Sequence, residues 1–175
     1  MNEQRLIISN TGPLITLEKV SNGYGFIRKL YDQVLIPPAV LEELFQGQFV
    51  SAEAYLEHYN VADLLEVVEV NPNIQPELEQ LDSGEQEAIQ LALQRHLPLL
   101  IEEEAGRSVA RQLGVSISGI AGQVLKAFQE NILTTEEALH HLDELFTSRR
   151  INTKIYQGLV QTVRQSELSK PITNK

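Results

Sequence analysis

The 175-residue chain has no cysteine, so disulfides and thiolate metal sites are excluded. No apolar run approaches the ~18 residues that span a bilayer, and no membrane is expected to be involved. The first five residues, Met-Asn-Glu-Gln-Arg, lack the basic and then apolar layout of a signal peptide. The expected location is the cytoplasm. Positive charge is scarce: 14 Lys and Arg stand against 24 Asp and Glu, a net charge of −10. That excludes broad, charge-driven nucleic-acid binding but leaves room for a local basic patch. It also suits a cluster of carboxylates that needs a cation. No glycine-rich phosphate loop is present, and no Ser-His-Asp order points to a nucleophilic hydrolase. The four histidines form no ligand set. His140 and His141 are adjacent, about 100° apart on a helix, and His58 and His96 read as surface residues.

What the chain does have is a regular alternation of short apolar runs and amphipathic stretches. Residues 6–8 read as a buried strand, followed by turn formers and a helix from about Pro13, interrupted at 21–25. Pro is well tolerated in a first helical turn because its missing N–H has no partner there. Residues 34–36 form a second strand, stopped by Pro37 and Pro38. Helices follow over 39–45 and 51–59, then an edge strand within 65–70 and a loop over 71–76. Asp82-Ser-Gly-Glu85 is a strong helix start. Strands over 97–101 and 115–117 and helices over 83–95, 105–113, 119–131, 134–146 and 154–165 complete the series. Thr134 and Glu137 have capping-box spacing. Strands alternating with helices of about ten residues imply a mostly parallel sheet covered on both faces. In such sheets ligands bind at the carboxyl ends of the strands, so Ser9, Asn10 and Thr11 are expected at the rim of any site.

Several acids fall near that rim. Glu43 shares a helical face with Ala39 and Val40, while Glu42 turns toward solvent. Glu85 precedes Ala88, Ile89 and Ala92 on an apolar stripe. Glu102-Glu-Glu104 end the most apolar strand. Converging carboxylates hold their ionised state best around a cation, and oxygen ligands suit Mg²⁺ or Mn²⁺. Such a constellation supports metal-assisted phosphodiester hydrolysis. Each acid also has a structural explanation. Glu85 and Glu102–Glu104 are favoured in a first helical turn by the helix dipole, and Glu43 taken alone reads as a partly exposed helix acid.

Taken in order, five segments resemble the PIN-domain family, in its branch of predicted nucleic-acid-binding proteins linked to toxin–antitoxin pairs. They are Ile8-Ser-Asn-Thr-Gly-Pro-Leu-Ile15, Val34-Leu-Ile-Pro-Pro-Ala-Val-Leu-Glu-Glu-Leu44, Leu81-Asp-Ser-Gly-Glu-Gln-Glu-Ala-Ile89, Leu99-Leu-Ile-Glu-Glu-Glu-Ala-Gly-Arg-Ser-Val-Ala-Arg111 and Leu113-Gly-Val-Ser-Ile-Ser-Gly-Ile-Ala-Gly122. The resemblance implies a three-layer α/β/α sandwich with a mostly parallel four- or five-stranded sheet. It implies an Mg²⁺- or Mn²⁺-dependent ribonuclease, RNA as substrate, and a small antitoxin-like partner. The family's acids fall on Asn10, Glu43, Glu85 and one of Glu102 and Glu103, which would hold the metal. Ser9 or Thr11 would position water or phosphate. Two departures stand out. Asn10 replaces an aspartate, removing one negative charge, and Glu102 and Glu103 stand where aspartate is usual. The alternative is a catalytically weakened PIN-like module that binds nucleic acid or protein.

A strand of RNA needs positive charge near the acids. Arg107 and Arg111 are four residues apart on one helix and can point along one groove, with Lys126 and the Arg149-Arg150 pair adding to it. Arg107 also has the spacing of an ordinary helix pair with Glu103. The expected organisation is a PIN-like domain over 1–133, C-terminal helices over 134–165 and a polar tail over 166–175. The apolar stripe Ala138, Leu142, Leu145, Ile151, Ile155, Leu159 and Val163 either packs on the sandwich or forms a homodimer or partner surface.

Overall fold

The computed structural model describes residues 2–171. Five short parallel strands, β1 (Leu6–Ser9), β2 (Gln33–Ile36), β3 (Leu65–Val67), β4 (Leu99–Leu100) and β5 (Ile117–Ser118), form one sheet in the order β3-β2-β1-β4-β5. β1 is central. The chain winds outward from it first on the β2 side and then on the β4 side, so the crossover direction switches between β1 and β4. Loops diverge at such a switch point and leave a crevice at the strands' carboxyl ends.

Alternation along the strands divides the interior. Ile7, Val34, Ile36 and Leu100 face one apolar cluster, and Ile8, Leu35, Leu99 and Ile101 face the other. The first face is covered by α1 (Thr11–Glu18), α2 (Gly23–Leu30), α3 (Pro38–Phe45), α4 (Ala52–His58), α7 (Ile120–Gln129), α8 (Thr135–Thr147) and α9 (Thr153–Leu168). The second is covered by α5 (Ser83–Arg95) and α6 (Glu104–Gln112). The architecture is therefore a three-layer α/β/α sandwich with an all-parallel sheet.

The local signals act as expected at the helix starts. Ser51 Oγ accepts from Ala54 N–H at the start of α4, and Thr134 with Glu137 forms a complete capping box on α8. The structure differs where strands are short. β4 and β5 keep two residues each, and a 3-10 turn at Pro76–Leu78 occupies what reads as loop. The last helix runs on to Leu168, so the tail expected from 166 begins later, and its final residues, 172–175, lie outside those described. Ala138, Leu142, Leu145 and Val163 all enter the first cluster, with Ile151 and Leu159 packed against it, so much of the C-terminal stripe is spent on the sandwich. Among the described residues no helix is long and apolar enough to cross a membrane.

Candidate active site

β1 delivers Asn10 to the crevice. Asparagine is a favoured N-cap, and Asn10 occupies that position on α1, yet its side chain makes no capping bond. Its backbone N–H is held by the Leu100 carbonyl of β4 at 2.9 Å. The side chain is only 5% exposed, and Oδ1 has no hydrogen-bond partner among the described residues. A buried carbonyl oxygen without a donor is costly, by about 1–3 kcal/mol.

Glu85 lies in the first turn of α5. It forms a capping box with Asp82: the Glu85 N–H donates to Asp82 Oδ1 at 2.8 Å, and the Asp82 N–H donates to Glu85 Oε2 at 3.4 Å. Its other oxygen, Oε1, is buried and without a partner among the described residues. Gly106 makes the room for it, since a Cβ there would lie 2.7 Å from Oε1. Burial pushes the Glu85 carboxyl above its ordinary value, and the nearby charges of Asp82, Glu103 and Glu43 push it further. Electrostatically, Glu43, Glu85 and Glu103 are therefore neighbours.

Glu43 is not on the buried stripe of α3. That helix buries only Val40 and Leu44, and Glu43 is exposed at its edge. Its carboxylate nonetheless reaches inward. Thr11, at the start of α1, donates its hydroxyl to Glu43 Oε2. Both Glu43 oxygens lie 2.6 Å from where a Cβ on Gly84 would stand, so the carboxylate packs directly on the backbone at the start of α5. Ser9, by contrast, is not at the rim. Strand alternation turns it to the face of Ile7, where it is 0% exposed and donates to the Asn10 carbonyl at 2.8 Å.

The run after β4 divides. Glu102 turns toward α1 and α7. Its Oε1 accepts from the Ile120 N–H at 3.1 Å and its Oε2 from the Thr16 hydroxyl at 2.7 Å. Glu103 remains exposed on the side of Glu85. As the side chains stand, the acids are not drawn to coordination distance. No group of three or more His, Asp or Glu among the described residues is placed to hold one ion. Arg107 does not pair with Glu103; its Nη1 instead donates to the Ile101 carbonyl at 2.8 Å. Arg111 reaches Glu104 at 3.4 Å, and Lys126 reaches Glu130 at 3.6 Å, away from the acids. No sequence pattern pointed to Thr16, which ties Glu102 to α1. Its contacts span 86 residues to Glu102 and 134 to Arg150, beyond any local pattern.

No curated protein matches the chain. Among solved structures it is similar to a PilT N-terminus domain protein from the hyperthermophilic archaeon Sulfolobus solfataricus P2. The identity is 19%, 67% of this chain and 87% of that chain are covered, and the TM-score is 0.49. The family model DUF3368, a PIN domain, matches residues 6–165. With nearly its whole length matched and its acids at the carboxyl edge of a parallel sheet, the chain belongs to the PIN-domain family.

Proposed function

We propose that the protein is a divalent-metal-dependent ribonuclease whose metal is held by Glu43, Glu85, Glu103 and the neutral Asn10. The observation that carries this reading is the pair of orphaned buried oxygens, Asn10 Oδ1 and Glu85 Oε1. They belong to residues that end β1 and start α5, and both are hard oxygen donors of the kind Mg²⁺ and Mn²⁺ take. A cation would supply the missing partner and oppose the burial and acidic neighbours that raise the Glu85 carboxyl. Glu43 and Glu103 are exposed and long, so they can swing to a shared ion by side-chain rotation, once it offsets their mutual repulsion. Membership of the PIN family supports a nuclease or nucleic-acid-binding module that works with such an ion. When bound, the metal supplies an activated water and a clamp for phosphate oxygens. The chain's own residues do the rest. Glu85 is fixed by the capping box, and Glu43 is held only by the Thr11 hydroxyl, a bond it can exchange for an ion. Glu102, with both oxygens engaged by the protein, braces α1 against α7 and is not assigned to the metal.

A toxin role, with a small antitoxin-like partner, follows from the resemblance of the five segments alone. A second reading, a binding module with weakened catalysis, is favoured by Asn10, which contributes no charge. Titrating Mn²⁺ while following the melting temperature separates them. An ion bound to the native state at a hundredfold excess over its Kd stabilises by about 2.7 kcal/mol. Wild type should show such a rise, Glu85→Gln should not, and wild type should cleave single-stranded RNA in Mn²⁺. Cleavage confined to Asn10→Asp would leave the binding-module reading standing. No thermal shift in either protein would remove the metal site.

A further inference from the structure

Residues 148–152 join α8 to α9, and the chain turns there through Arg149, in the left-handed region at φ +61°. The turn sends Arg150 back across the molecule. Its Nε donates to Thr16 Oγ1 at 2.8 Å and its Nη2 to the Gly12 carbonyl at 3.2 Å. Arg107 is held in the same manner, by the Ile101 carbonyl. Arg150 lies beside the Glu102 carboxylate without donating to it. Arg150 Nη2 stands 3.6 Å from Oε2, and the Glu102 oxygens take their hydrogen bonds from Thr16 and the Ile120 N–H. With Glu102 and Glu104 the acids beside them against four cations, a net positive charge remains around Arg107 and Arg150. A guanidinium carries five donors in a fixed fork, so each arginine has donors left over.

Both line one groove of about 870 Å³, bounded by α6, β5, α7 and α9, with Arg111 and Lys154 also on its walls. The exposed Arg111–Glu104 pair neutralises little in solution. Among the described lining residues none is aromatic; the floor is aliphatic, with Ile117, Ile155 and Leu159. Cations without stacking platforms hold a strand by its phosphates rather than its bases.

We propose that this groove is the phosphate track of a single-stranded nucleic acid, and that Arg150 and Arg107 anchor the phosphate next to the acids. The identity of the strand rests on the nuclease reading. The C-terminal helices then supply part of the substrate site, through Arg150 and Lys154, rather than packing alone. Thr16 and Glu102 are positioning residues for Arg150.

The test is fluorescence anisotropy of a short fluorescein-labelled single-stranded RNA, in EDTA, across a salt series. For single strands the slope of log K against log salt falls by about 0.7 for each cation removed. Arg150→Gln and Lys154→Gln should each lower it by that amount, and the Arg107→Gln/Arg150→Gln pair by about 1.4. The double variant should bind on the order of tenfold more weakly at low salt. Arg150→Lys should keep the slope. Arg95→Gln, at the C-terminal end of α5 where the chain enters the amino end of β4, should change nothing. If Arg150→Gln loosens the C-terminal helices, seen as a lowered melting temperature, Lys154→Gln and Arg150→Lys decide. The proposal is overturned if wild type does not bind, if the groove variants keep the wild-type slope, as they would were the groove a protein-docking surface, or if Arg95→Gln lowers it equally. Binding in EDTA needs no metal. Failure of the Mn²⁺ shift would therefore end the nuclease reading while leaving the groove result intact, and the converse holds too.

Discussion

Glu18 and Glu85 both lie where burial lifts a carboxyl above its usual value, but their surroundings differ. Glu18, at the end of α1, accepts the Tyr55 hydroxyl, and Tyr55 shares a further hydrogen bond of 2.8 Å with Tyr24. Tyr55 is itself fully buried and packs its ring against Phe49 and Tyr59, at 5.3 and 4.8 Å between centroids. Around Glu18 the hydroxyls are used up. Around Glu85 the neighbouring charges are acids, and one oxygen is left over. The first arrangement closes a helix layer. The second keeps binding capacity at a cost in stability, which is the pattern expected of a site rather than a scaffold.

Substitutions sharpen the contrast. The largest effect should come from Tyr55→Ala, which removes a buried ring and strips Glu18 of its donor. A loss of about 3–5 kcal/mol in urea unfolding is expected. Tyr55→Phe keeps the ring and loses only the hydroxyl, with a cost of about 1–3 kcal/mol. Asp82→Ala takes one half of the capping box from α5 and should cost about 1 kcal/mol. Glu85→Gln should go the other way. The raised carboxyl is neutral and unpenalised at low pH, and stability is lost as pH rises through its folded-state value. In the absence of divalent metal the glutamine variant should therefore melt higher than wild type at neutral pH. The gap should close below the ordinary glutamate value of 4.5. A glutamine variant that melts lower at every pH would place Glu85 with Glu18, as scaffold.

Much of the fold was legible because its signals are local. Ser51, Asp82 and Thr134 are caps by side-chain chemistry alone, and each caps the helix it precedes. The strand series was readable from apolar runs, though it overstated their length, since β4 keeps only Leu99–Leu100 in register with its neighbours. The site was legible in part. Glu85 follows from its stripe. Glu43 was misplaced on the buried face, because the eight-residue α3 buries a narrower stripe than the spacing implies. The direction taken by Glu102 and Glu103 could not be read, because adjacent residues after a strand diverge according to what waits on each side. What waits for Glu102 is Thr16 and the start of α7.

The capping box on α5 has a last consequence. One oxygen of Glu85 secures the first turn of that helix, and the other is buried without a partner among the described residues, the place proposed for the ion. Occupancy of the crevice is thereby written into the fraying of a helix end. Amide exchange at Glu85 and Gln86, whose N–H groups close on Asp82, should slow when a cation arrives. A spectroscopist could then see the ion land without observing a single turnover.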